Sequence, residues 1–136
     1  MVMNPKLYQQ QIDEVGIEGF KLEPSSLAGA MNLLIELKKG QRILQQIKYN
    51  LRMDMRSIRK EYLKKLDSLQ ESSKMMGLFD KKLTDKEARK AKKILLMERD
   101  ELISPYEGLE VLVDHYLIQI EDSKTFLAEY IQKSVE

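Results

Sequence analysis

Cysteine is absent from this chain, which excludes disulfides, thiolate nucleophiles and the usual structural zinc sites. Histidine occurs once, as His115 beside Asp114, with no Glu-x-x-His partner to make a helical metal-binding pair. A lone histidine of this kind is ordinarily a surface or packing residue. Apolar runs are only a few residues long, so no segment is expected to span a bilayer. The first residues hold no basic stretch followed by an apolar one, so no signal peptide is expected, and a cytoplasmic location is. Glycine-rich phosphate loops and nucleophile elbows are missing too. The expectation is therefore a non-enzyme without cofactor or metal.

Glycine (six) and proline (three) are also few, while hydrophobic residues make up 43% and charged residues 33% of the chain. That composition belongs to a soluble, helix-rich protein with a core of its own. The rest is organised around Leu27 to Glu71, which reads as one long helix. Apolar residues recur at Leu44, Ile47, Leu51, Met55, Ile58, Tyr62, Leu66 and Leu69, in steps of three and four. Such spacing keeps them on one helical face. Straight, this helix would be about 68 Å long at 1.5 Å per residue. A compact chain of this size has a radius of gyration of about 14 Å, so the element must protrude or bend.

Before it, Asn4-Pro5 is a helix start, and Leu7, Ile12 and Val15 give a short helix to about residue 14. Gly16 and Gly19 end it, Ile17, Phe20 and Leu22 form a packing arm, and a serine after Pro24 caps the long helix. Gly40 in that helix marks a kink, a close contact or a weak point costing about 1 kcal/mol. After a connection around Gly77, the capping box Thr84-Asp85-Lys86-Glu87 starts the next helix at Asp85, with Ala88, Ala91, Leu95 and Leu102 inward. Ser104-Pro105 repeats the signal, and Leu109, Val113, Tyr116, Ile120, Leu127 and Tyr130 continue the phase to about Lys133. The return arm is thus broken or kinked near Pro105, as a continuous kinked arm or a sharp corner.

Folding back at Gly77 pairs residues whose numbers add to about 155. The broad apolar sector 31–47 then meets 108–124, and basic 52–65 meets 90–103. The fold expected is all-α, a long antiparallel helical hairpin over 27–136 with a short N-terminal segment over 1–26.

Charge is unevenly spread. Residues 27–71 and 72–99 each carry +5, while residues 1–26 carry −2 and residues 100–136 carry −7. Arg52, Arg56 and Arg59, with Lys60, form one basic ridge, and Lys86, Arg89, Lys90 and Lys93 form another on the return arm. Ridges of this kind suit a nucleic acid or another anionic surface, read without sequence preference. At the turn, Met75, Met76, Leu78 and Phe79 either cap the helix pair or offer an adaptable partner surface. Leu7, Ile12, Ile17, Phe20 and Leu22 are too few to cover the wide sectors 31–47 and 108–124. The surplus points to a homodimer or another protein partner. The function expected is interaction or scaffolding through helix packing, with polyanion binding at the basic end as the alternative.

Overall fold

The computed structural model describes residues 2–76 and 81–135, and the side chains of all these except 72–76 and 81–85. Among them stand three helices and no strand: α1 (Pro5–Val15), α2 (Leu27–Met76) and α3 (Lys81–Val135). α2 packs antiparallel against α3, the all-α hairpin expected. Two compact units divide the chain. One comprises Met3–Arg52 and Gly108–Glu136, the other Met1–Val2 and Met53–Glu107.

In the first unit, α1 begins as its sequence demands. The Asn4 side chain accepts the Lys6 backbone N–H at 2.9 Å, and Pro5 fills the first position, where no N–H is needed. Gly16 ends the helix at φ 73°, and its N–H donates to the Asp13 carbonyl at 3.0 Å. That left-handed conformation is cheap only for glycine. Ser26 then caps α2, its hydroxyl accepting the Gly29 N–H at 3.0 Å.

The core of this unit draws on three elements. Tyr8, Ile12 and Ile17 come from the N-terminal segment, Ala30, Leu37, Leu44, Ile47 and Leu51 from α2, and Leu109, Val113, Tyr116, Ile120 and Leu127 from α3. Each fully buried leucine of this set contributes roughly 1.5–3 kcal/mol. Tyr8, rather than the exposed Leu7, anchors α1 with Ile12, because positions four apart share a face and Leu7 lies about 100° away. Gly40 is buried on the same α2 stripe as Leu37 and Leu44. A Cβ there would lie 3.2 Å from Val15 Cγ1 and 3.6 Å from Ile17 Cδ1. The glycine therefore marks a close contact, an empty place on the seam that the N-terminal arm fills.

The second unit has a leaner core: Met55, Ile58 and Tyr62 from α2, with Ile103 and Tyr106 from α3. Leu66, Leu69, Ala88, Ala91 and Leu95 are half-buried. An open cleft of about 500 Å³ lies among Glu61, Lys64, Lys65, Ser68, Leu69 and Leu95.

Three expectations are corrected. The two helices expected on the return arm are one, and of the two forms considered the continuous arm is found, with Pro105 inside α3. Proline removes the donor for the Glu101 carbonyl, but both residues lie on the exposed side, where water can satisfy it. α3 starts at Lys81, so Thr84 lies within the helix and not at its cap. No breaker stands between Asp80 and Thr84, and lysine and leucine are good helix formers. Leu102 is exposed, and its neighbour Ile103 takes the inward place. The seam runs Ile103, Tyr106, Leu109, one residue out of step with the stripe drawn through Leu102.

Candidate interaction surfaces

The register of α2 against α3 decides what the basic ridges face. In the first unit Lys48 Nζ lies 2.5 Å from Asp114 Oδ1, and Arg52 Nε lies 3.1 Å from Glu110 Oε1. Facing numbers therefore add to 162, seven more than the expected 155. Seven residues are nearly two whole turns, so the apolar faces still match while every facing residue changes.

Arg52 is thus held by an acid of the return arm. Farther along the same flank, Gln41 donates to Glu121, and Lys124 Nζ reaches both Gln41 Oε1 at 3.1 Å and Glu121 Oε1 at 3.4 Å. The Gln41 hydrogen bond, then the hydrogen bond and charge of Lys124, hold the Glu121 carboxyl below the usual carboxylate range. These are exposed polar contacts, each contributing little to stability but fixing register.

In the second unit Arg59 Nη2 lies 3.6 Å from Glu107 Oε1. Arg56 and Lys60 are exposed and have no ion-pair partner among the described residues. Lys86, Arg89, Lys90 and Lys93 are exposed as well. At about 100° per residue they fall within one sector about 100° wide, turned away from half-buried Ala88, Ala91 and Leu95. The expected ridge of three arginines therefore divides, two engaged by acids and Arg56 open, while the α3 set stays together. Farther along α3, burial and then the Asp54 charge push the Tyr106 phenol upward.

The apolar candidates lie on faces turned from the core. In the first unit Met31 and Ile35 on α2 are 51% and 60% exposed, and Val111 and Ile118 on α3 are 68% and 63% exposed. In the second unit Ile94 and Met97 of α3 are 48% and 55% exposed. Sequence reasoning passed over these last two; the signal was their position off the phase of Ala91 and Leu95. Met75, Met76, Leu78 and Phe79 lie outside the residues whose side chains are described.

The arm closes the first unit through chemistry as well as packing. A cavity of about 260 Å³ is lined by Ile12, Asp13, Gly16, Ile17, Glu18, Gly19 and Tyr116. The Tyr116 hydroxyl donates to the Glu18 carboxylate, and this bond, with burial and the charges of Glu18 and Asp13, pushes the phenol up to about 12. His115 next to it is exposed, and Asp114 is occupied with Lys48. Among the described residues no group of three or more His, Asp or Glu is placed to hold a metal, and no helix is long and apolar enough to cross a membrane.

Comparison with protein-family models, curated proteins and solved structures yields no match.

Proposed function

We propose that this protein is a non-enzymatic interaction or scaffold module that works by packing its helices against a partner, in the first instance a second copy of itself. The observation that supports this reading is the large apolar side chains on outward helix faces, with Met31, Ile35, Val111 and Ile118 all more than half exposed. The arm is already docked over Gly40 and so leaves these four uncovered. Single exposed apolar residues are ordinary, but rows of them on helix faces suit association. A two-fold dimer is the simplest closed way to bury such a row, and Ile94 and Met97 on α3 form another one. A cytoplasmic setting fits a chain without cysteine.

Light scattering at micromolar concentration tests the reading, with a mass near twice 15.9 kDa expected in both low and high salt. A mass of 15.9 kDa under both conditions would refute it.

The second reading, sequence-blind polyanion binding, is supported by the outward cations Lys86, Arg89, Lys90 and Lys93, with Arg56 and Lys60 on α2. Its mark is salt dependence, since each neutralised phosphate releases a counterion. Affinity for a DNA oligomer that falls steeply with salt supports it; no binding at low salt removes it.

A further inference from the structure

The outward face of α3 in the second unit is not uniformly basic along its length. Lys90, Ile94, Met97 and Glu101 follow one another at steps of four, three and four, which keeps them within a sector about 60° wide. All four are exposed. The stripe is basic at one end, apolar in the middle and acidic at the other. Lys90 and Glu101 have no ion-pair partner among the described residues, and Lys86 extends the basic end on the same side.

A stripe with that order complements itself when reversed. Placed antiparallel on a second copy about a two-fold axis between Ile94 and Met97, each Ile94 meets the partner's Met97. Each Lys90 meets the partner's Glu101, and by symmetry the ion pair forms twice. On one flank Lys93 comes within about two residues of the partner's Asp100, whose Oδ2 is not the oxygen that holds Arg99. A parallel pairing would instead set Lys90 against lysine and Glu101 against glutamate, which repel. A nucleic acid fits less well, because Asp100 and Glu101 lie on the continuation of the same face.

We infer that α3 is the dimer interface, its Lys90–Ile94–Met97–Glu101 stripe packing antiparallel against the same stripe of a second copy. This interface rests on the helix-packing reading above and names the surface and the partner. The apolar centre supplies the attraction, and the two charge ends set direction and register.

Charge reversal on the full chain tests it, with assembly read by sedimentation and folding by circular dichroism. K90E and E101K should each raise the dimer dissociation constant about tenfold, because each change places like charges together at two points. The double variant K90E/E101K, which only swaps the ends, should return to within about threefold of the parent. Met97→Glu at the centre should shift the population to monomer with helicity unchanged, since the residue is exposed. A dimer that ignores all these changes overturns the interface while leaving the helix-packing function in place. A double variant as weak as the singles overturns the pairing. Reversals that remove binding to a DNA oligomer without moving the dimer constant also overturn it. A parent chain that is monomeric throughout overturns both this interface and the function on which it rests.

Discussion

Gly40 is the most informative position to perturb, because two opposed effects meet there and the structure says which prevails for each substitution. Alanine improves helix propensity by about 1 kcal/mol. Its Cβ would stand 3.2 Å from Val15 Cγ1, against an ordinary carbon contact of roughly 3.5–4.0 Å. Val15 must retreat by a few tenths of an ångström. It is half-buried and adjoins Gly16, whose backbone can absorb the shift. Gly40→Ala should therefore stabilise the protein by about 0.5 kcal/mol. Leucine is different, because its outer carbons need the space that Val15 and Ile17 occupy. Overpacking costs about 1–3 kcal/mol, and lifting the arm instead exposes Ile17, at about 1.5–3 kcal/mol. Net of leucine's gain in helix propensity, Gly40→Leu should destabilise by about 0.5–2 kcal/mol in urea unfolding, with faster proteolysis between residues 16 and 26. A leucine variant as stable as the parent would refute the claim that the arm fills this place on the seam. An alanine variant weakened by more than about 2 kcal/mol would show that the contact cannot relax.

Leu44 is fully buried, so Leu44→Ala should cost about 2–5 kcal/mol, and a loss below about 0.5 kcal/mol would contradict its place in the core. Pro105→Ala should add about 1–3 kcal/mol, because the Glu101 carbonyl regains its donor in a helix already continuous there; a loss would mean that the proline conformation is needed. The Tyr116 phenol is raised in the folded state to about 12, so its contribution is full below the unfolded value near pH 10 and disappears as pH climbs toward 12. Tyr116→Phe should remove this part of the alkaline loss of stability. Parallel pH profiles for the two proteins between pH 9 and 12 would refute the Glu18 hydrogen bond as its cause.

Much of this fold can be read directly from the residues. Asn4-Pro5, Gly16 and Ser26 act where their chemistry says they should, and Leu44, Ile47, Leu51, Met55, Ile58 and Tyr62 are all buried on one stripe. Such features are local or periodic, so one chain segment contains the whole signal. Register is not local. A slip of seven residues leaves an apolar seam intact, so the facing sectors could not reveal it. The consequence fell on the basic ridge. In the expected register Arg52 would have faced Ile103, whereas it meets Glu110, seven residues on; Arg59 would have faced Leu96, whereas its guanidinium reaches Glu107, one further turn beyond that slip. Whether a cation is open or engaged depends on the opposite helix, and that was hidden. Leu102 and Ile103 show the same limit on a smaller scale, since two adjacent apolar residues leave the phase undecided until the partner is in place.

Packing of α3 on a second copy of itself, as proposed, can be read by distance, because the chain contains no cysteine and single introduced cysteines can carry spin labels at chosen sites. Glu98→Cys and Ser104→Cys place labels on exposed positions of α3. With helices about 8–10 Å apart and 1.5 Å of rise per residue, an antiparallel pair centred between Ile94 and Met97 sets the two copies of residue 98 about 12 Å apart. The two copies of residue 104 then lie about 27 Å apart by the same geometry. Dipolar coupling that weakens in this way from the first site to the second is the result expected. Equal distances at both sites, or no coupling at either, would contradict it.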